Sequence, residues 1–354
     1  SYSVTGVQTC ALPIWLANVI DDKMSREISP LGQKVGELSE EAARWLHLEP
    51  GIPVATGMMN NQAAVPAAGI VEPGNMNILL ETRFVHLVLS KKEDRVPGMV
   101  GMVRDGIIPD YIGYEAGQAS GGDQFAWFMQ NAIPEEYMKE ARRRKHGIFE
   151  YMELKAATLE PAESGLIALD WWNGNRSILV DDNLSGLILG YNLKTRPEEI
   201  YRAILEASAF GTRKIIETFI ASGVPINEII VAGGAPMQNK LLLKILADVT
   251  RMEIKVADCP HSSAMVAAMY AAVAAGVEKG GYSTIQDAST NMAHLMKKTF
   301  LPNNNDKKTY NRLYSEYTLL HDYFGYGHND AMKRLNNLRR SEEHTSELQS
   351  PNTI

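Results

Sequence analysis

The stretch that decides the fold is IIVAGGAPMQNKLLLKILADV, residues 229–249. It begins with an apolar run that is typical of a buried strand, and from Asn239 onward apolar residues recur at helical spacing. Between them, Gly233 and Gly234 would let a ligand approach bare backbone, and the helix N-terminus would offer free N–H groups. The pattern favours a nucleotide site, but a tight strand-to-helix turn without a ligand fits the same residues.

Strand and helix patterns alternate along the rest of the chain, which predicts an α/β fold. We expect a β-hairpin from residues 76–80 and 84–90, and another strand over residues 107–114. The longest predicted helix covers residues 197–222 and has Pro197 in its first turn, where proline is well tolerated.

Both ends of the chain carry segments that look unrelated to this fold. Residues 4–14 and 340–350 can be encoded by DNA segments that are reverse complements of each other. That relation is typical of a sequencing adapter translated at both ends of an assembled fragment. We therefore expect residues 1–14 and 340–354 to be artefact tails, and we exclude them from predictions of the fold.

Composition and charge exclude several classes of function. The formal net charge is −7 and there is no basic stripe, so nucleic acid is not an expected partner. Of the two cysteines, Cys10 lies in an expected tail, and Cys259 alone cannot form a disulfide framework, which fits a cytoplasmic protein. No apolar run is long enough to span a membrane. No His, Cys or Asp cluster has the spacing of a metal site, so we expect no protein-held metal.

Several motifs together point to one enzyme family. They are GYEAGQ at 113–118, GDQFAWF at 122–128, DWWNGNR at 170–176 and EIYRAILE at 199–206. Through these motifs the chain resembles the FGGY carbohydrate kinases, and among them the enzymes that phosphorylate ribulose. The resemblance extends over residues 37–339, and the paired tryptophans in a polar loop are its most specific feature.

The resemblance implies an actin-like (ribonuclease H-like) ATPase fold, in which two domains close over ATP, Mg²⁺ and a sugar. Residues 15–70 would be the end of the N-terminal domain, most of which is missing, and residues 71–339 a nearly complete C-terminal domain. The implied activity is ATP-dependent phosphorylation of a ketopentose, L-ribulose in arabinose catabolism, at its 5-hydroxyl. Mg²⁺ would arrive with the ATP phosphates. A homodimer is possible.

The same resemblance assigns roles to individual residues. The sugar hydroxyls would be held by Glu115, with Gln118 and Asp123 as weaker candidates. Phosphates and adenosine would be bound by Thr82, Gly233, Gly234 and Asn239.

Three positions depart from the family pattern. Asn60 stands where the family has the Asp that accepts the proton of the attacking hydroxyl, and an amide cannot do so at neutral pH. Glu81 replaces the glycine of a phosphate-binding Gly-Thr-Ser turn, and Val266 replaces another glycine. Two interpretations stay open: a kinase whose catalysis is altered or impaired, and a catalytically inactive protein that binds sugar or nucleotide and regulates.

Overall fold

The computed structural model describes residues 22–23, 27–234 and 239–349, with side chains as far as Arg340. The strands are β1 (Lys34–Glu37), β2 (Pro53–Ala55), β3 (Gly74–Leu80), β4 (Phe84–Ser90), β5 (Gly101–Arg104), β6 (Ile112–Gln118), β7 (Ile167–Leu169), β8 (Leu187–Leu189), β9 (Ile226–Ala232) and β10 (Ile254–Val256). The helices are α1 (Glu40–Leu46), α2 (Ala64–Ala67), α3 (Gly122–Asn131), α4 (Glu135–Arg143), α5 (Ile148–Ala156), α6 (Pro197–Ala221), α7 (Lys240–Thr250), α8 (Ser262–Ala275), α9 (Ile285–Met292), α10 (Lys307–Gly325) and α11 (Ala331–Gln349).

A six-stranded mixed sheet organises the described part of the chain, in the order β10-β9-β3-β4-β6-β5. The strands β10, β9 and β3 run parallel, whereas β4, β6 and β5 join them as antiparallel partners. The predicted hairpin of β3 and β4 is confirmed, and it lies in the middle of the sheet. The predicted strand and helix over residues 229–249 are confirmed as β9 and α7.

Helices cover both faces of this sheet, as the alternation of side chains along each strand requires. On β9, Ile229 and Val231 enter one apolar core, which also takes in α6, α7 and α10. Their neighbours Ile230 and Ala232 enter a second core with α2, α8 and α9. A strand that is apolar on both faces reads as a continuous apolar run, which is why 229–232 was recognisable from sequence.

One strand prediction is wrong in its position. The expected strand over 107–114 is instead β6, which begins at Ile112, and Ile107 and Ile108 lie in the preceding loop. Both isoleucines are buried in the second core. Their apolar character therefore reflects burial in a loop and not a strand conformation. The edge strand β5 escaped prediction because all four of its residues are exposed.

Most of the two expected tails lies outside the described residues. Residues 1–14 lie outside the described residues, as do residues 350–354. The remaining part, from Arg340, continues helix α11, and the Arg340 guanidinium donates to Asn183 Oδ1 at 3.0 Å. The domain boundaries at 70 and 71 remain predictions. No helix in the described part is long and apolar enough to cross a membrane.

A histidine lies in the first core. His86, on β4, is fully buried, and its Nε2 lies 3.1 Å from the Thr212 hydroxyl on α6. Its Nδ1 has no hydrogen-bond partner among the described residues. Burial lowers the pKa of His86 to about 3, because the charged imidazolium would lose its hydration there. His86 is therefore neutral in the folded protein.

We predict that His86 makes the fold sensitive to acid. Its pKa is lower in the folded than in the unfolded chain, so stability present above the unfolded pKa of about 6.5 is lost as pH falls towards about 3. This one group should lower the free energy of unfolding by up to about 1.4 kcal/mol per pH unit in that window. Urea unfolding at about pH 7 and about pH 5 measures the slope. His86→Gln should reduce the slope, while His328→Gln, at an exposed histidine, should leave it unchanged. Equal slopes for His86→Gln and the parent would contradict the assignment.

Candidate active site

Two adjoining clefts open where β3, β6 and β9 end. The hairpin cleft, about 200 Å³, is lined by Glu81, Thr82 and Arg83 of the β3–β4 turn together with Glu115, Gln118 and Arg176. The glycine cleft, about 300 Å³, is lined by Asn60, Gly233, Pro260, His261, Ser262 and Ser263. Leu79 and Glu81 line both clefts and form their shared wall. The fold therefore brings Thr82 and Glu115 to one cleft, and Asn60 and Gly233 to the cleft beside it.

The turn between β3 and β4 is fixed by backbone contacts. The Gly122 N–H donates to the Glu81 carbonyl at 2.8 Å, and the Gly121 N–H donates to the Thr82 carbonyl at 3.0 Å. A Cβ on Gly122 would lie 2.9 Å from the Glu81 carbonyl oxygen, so glycine permits this close approach. The main chain of the turn is held while the side chains of Glu81, Thr82 and Arg83 are exposed.

Glu115 forms an ion pair across the hairpin cleft. It lies on β6, and its Oε1 is 3.3 Å from Nη2 of Arg176, at the end of the polar loop 170–176. The Glu115 side chain is 15% exposed and that of Arg176 is 37% exposed, so both remain reachable from the cleft. Sequence reasoning missed Arg176 as a cleft residue, although its polar, aromatic loop was a usable signal.

Gln118 lines the hairpin cleft, but its amide is engaged in the interior. Its Nε2 donates to Asp170 Oδ2 at 2.6 Å and to the Ser208 carbonyl at 2.9 Å. Its Oε1 accepts from the Thr212 hydroxyl at 3.1 Å. Both amide N–H groups are therefore used within the protein, and Gln118 offers no free donor to a sugar.

Asp123 is used to begin helix α3. Its Oδ1 accepts from the Gly121 and Gln124 backbone N–H groups at 2.9 and 2.8 Å. Its Oδ2 accepts from Asn173 Nδ2 at 2.9 Å, which ties the polar loop to the helix. Asp123 is not among the residues that line either cleft.

Asn239 likewise serves helix α7. Its Oδ1 accepts from the Leu242 N–H at 2.9 Å, and its Nδ2 donates to the Tyr201 hydroxyl at 2.8 Å. The Leu241 N–H is bound by Glu153 Oε1 at 3.0 Å, and burial raises the pKa of this carboxyl. The N-terminus of α7 is therefore capped by side chains of the chain itself. The preceding residues 235–238 lie outside the described residues.

The two glycines after β9 differ in their surroundings. Gly233 has a φ of +114°, and a Cβ there would lie 2.4 Å from the Leu80 carbonyl oxygen. At Gly234 a Cβ would meet no atom within 4 Å. Gly233 is thus required by the packing of β9 on β3, whereas a side chain at Gly234 would meet no such obstacle. The turn interpretation fits Gly233, and a ligand at Gly234 stays a prediction.

The positions that depart from the family pattern lie on or near the glycine cleft. The Asn60 Oδ1 accepts a hydrogen bond from the Ser263 hydroxyl near the start of α8. Val266, one turn further, is buried in the second core and is not among the cleft-lining residues. Glu81 places a carboxylate side chain in the wall that both clefts share.

The donor set of the glycine cleft fits a phosphate chain better than a bare metal ion. The Ser262 hydroxyl can donate a hydrogen bond to a phosphate oxygen, and the backbone at Gly234 follows the cleft-lining Gly233 without a side chain. Within the described ranges, no three His, Cys, Asp or Glu side chains form a group that could hold a metal ion. Any Mg²⁺ would therefore depend mainly on phosphate oxygens.

Comparison with known proteins identifies the protein family to which the chain belongs. Residues 76–275 match the C-terminal domain of the FGGY family of carbohydrate kinases. The chain belongs to this family, whose members are sugar kinases. It is 51% identical over 326 residues to the ribulokinase of Anoxybacillus flavithermus and 42% identical over 327 residues to that of Mycolicibacterium smegmatis. Each match covers 92% of this chain but only 58% and 57% of the relative, so the chain spans less than two thirds of their length.

Solved structures agree on the fold. The xylulose kinase of Rhodospirillum rubrum superposes with a TM-score of 0.72 at 23% identity, covering 85% of this chain and 58% of its own. The ligand-bound xylulose kinase of Lactobacillus acidophilus gives 0.73 at 15% identity, covering 89% and 61%. The predicted actin-like α/β fold is confirmed.

We predict that the two glycines respond differently to substitution. Gly233→Ala should lower the free energy of unfolding by at least about 2 kcal/mol, because a strained backbone and a contact with the Leu80 carbonyl add together. Gly234→Ala should change it by less than about 0.5 kcal/mol. Thermal and urea unfolding of both variants measure the difference. Equal losses of stability would contradict the close packing of Gly233 on β3.

Proposed function

We propose that this chain belongs to an ATP-dependent kinase that phosphorylates a ketopentose, with L-ribulose as the substrate. The observation that supports it best is the shared wall of the two clefts at Leu79 and Glu81. A sugar held at Glu115 would lie beside the phosphates of a nucleotide bound along Gly234. Such proximity is what phosphoryl transfer requires, since most of its catalysis is positioning and charge stabilisation.

Individual residues have clear tasks in this proposal. Glu115 accepts hydrogen bonds from sugar hydroxyls, and the ion pair with Arg176 fixes the orientation of its carboxylate. The backbone at Gly234 and the Ser262 hydroxyl would hold phosphate oxygens, and Mg²⁺ arriving with ATP would neutralise part of the phosphate charge. The identity to ribulokinases, rather than any contact in the clefts, selects ribulose among ketopentoses.

A second candidate function is binding without catalysis. It is favoured by Asn60, whose amide is engaged with Ser263 and cannot take a proton. It is also favoured by Glu81, which adds negative charge where phosphates would approach. A protein of this kind would bind the sugar or the nucleotide and transmit that binding to a partner.

An activity assay separates the two candidates. We define the completed protein as this chain joined to the portion of the Anoxybacillus flavithermus ribulokinase that has no counterpart in it. A kinase gives ADP formation that depends on L-ribulose. A binder gives heat of binding for L-ribulose or for ATP in calorimetry, without ADP formation. Neither signal from a folded completed protein would overturn both.

We predict that Glu115 carries sugar recognition. In the completed protein, Glu115→Gln should lower kcat/KM for L-ribulose by about 10- to 100-fold, since charged hydrogen bonds contribute about 1.5–3 kcal/mol. The matched control is Glu93→Gln, which also removes a carboxylate paired with an arginine, Arg104, at 3.5 Å but outside the clefts. The control should keep the parental kcat/KM. Equal effects of the two substitutions would count against a sugar site at Glu115.

A further inference from the structure

The wall between the clefts carries a carboxylate with no structural task. Of the described residues lining the clefts, Glu81 is the carboxylate common to both, and Glu115 lines the hairpin cleft alone. Glu115 is paired with Arg176. The Glu81 carboxylate, in contrast, has no hydrogen-bond or ion-pair partner within the described ranges. Its main chain is held by Gly122, so a free carboxylate stands on a fixed turn.

The other groups at this boundary are poorly suited to accept a proton. The Asn60 amide has no basic atom at neutral pH, and its oxygen is bound by Ser263. His261 lines the glycine cleft but not the hairpin cleft, so it faces the nucleotide side only. The guanidinium groups of Arg83 and Arg176 can only donate hydrogen bonds. Transfer of a phosphoryl group to a hydroxyl needs a proton acceptor near that hydroxyl.

We propose that Glu81 is the proton acceptor for the attacking sugar hydroxyl; this inference rests on the proposed kinase function. The hydroxyl oxygen attacks the γ-phosphorus and forms the new O–P bond. The bond from the γ-phosphorus to the β,γ-bridging oxygen breaks, and its electron pair leaves with ADP. The hydroxyl proton passes to a Glu81 carboxylate oxygen, from which water removes it after the product leaves.

The position of Glu81 should affect ATP binding as well as the chemical step. A carboxylate beside the nucleotide phosphates repels them, so it weakens ATP binding while it assists the chemical step. Replacing it by the isosteric neutral amide should therefore change kcat and the KM for ATP in the same downward direction. A residue that merely shapes the cleft, or that simply repels phosphate, would not lower both.

The test compares the completed protein with Glu81→Gln, Asn60→Asp and the double variant. Glu81→Gln should lower kcat about 100-fold, should lower the KM for ATP, and should remove the acidic limb of the pH profile of kcat. The double variant should recover at least about tenfold, because Asn60→Asp returns a carboxylate to the same boundary. Glu93→Gln is again the control, and circular dichroism and thermal unfolding check that each variant folds.

Several results would overturn the inference while leaving the kinase proposal standing. One is an unchanged or raised kcat in Glu81→Gln. A second is a rise in the half-saturating Mg²⁺ concentration with an unchanged pH profile, which would make Glu81 a metal ligand. A third is an inactive parent that becomes active through Asn60→Asp alone. If no variant, including Glu81→Gly with Asn60→Asp, forms ADP with L-ribulose, the kinase proposal itself fails.

Discussion

The pairing of β3 with β9 on one side and β4 on the other is the constraint on which both clefts depend. Parallel pairing sets Leu79 opposite Ala232, so the end of β3 and the glycines after β9 are neighbours. Antiparallel pairing with β4 turns the chain at Glu81. The positive φ of Gly233 and its approach to the Leu80 carbonyl allow the two strands to end side by side. Without that glycine the wall between the clefts could not form in its present shape.

Features that depend on residues close together in the sequence could be predicted, whereas contacts between distant segments of the chain could not. The strand and helix over 229–249 were predictable because the spacing of the apolar residues and the paired glycines can be read within one short stretch of sequence. The resemblance also pointed to Thr82, Glu115 and Gly233, which line the clefts, but not to Arg176. The partners of Gln118 and Asn239 were not, since Asp170 and Tyr201 come from distant segments and only the folded chain places them there. An amide on a strand or at a helix start looks the same whether it faces a ligand or the interior.

Behind the hairpin cleft a chain of polar groups crosses the first core. The Tyr317 hydroxyl donates to Asp170, Gln118 donates to the same carboxylate, and Thr212 links Gln118 to His86. Burial raises the pKa of the Asp170 carboxyl, opposed by these two donors. A Cβ at residue 211 would lie 2.6 Å from Asp170 Oδ2, so Gly211 makes room for the network. Apart from His86 Nδ1, which has no partner among the described residues, these groups are hydrogen-bonded, and such contacts favour one arrangement of the core.

The residues behind the hairpin cleft are held by the buried network, whereas the side chains of the β3–β4 turn at the rim of the cleft are exposed. This difference decides which of them can exchange a proton with a ligand. Behind the hairpin cleft, Gln118 is held by Asp170 of the polar loop and by Ser208 and Thr212 of α6, so it can shape the cleft but offers no free donor to a ligand. At the rim, the β3–β4 turn fixes only its main chain, and the side chains of Glu81 and Arg83 are exposed. A group that takes and releases a proton in each turnover must reach both substrate and water. The rim satisfies that requirement, whereas a carboxylate buried like Asp170, held by two donors, does not.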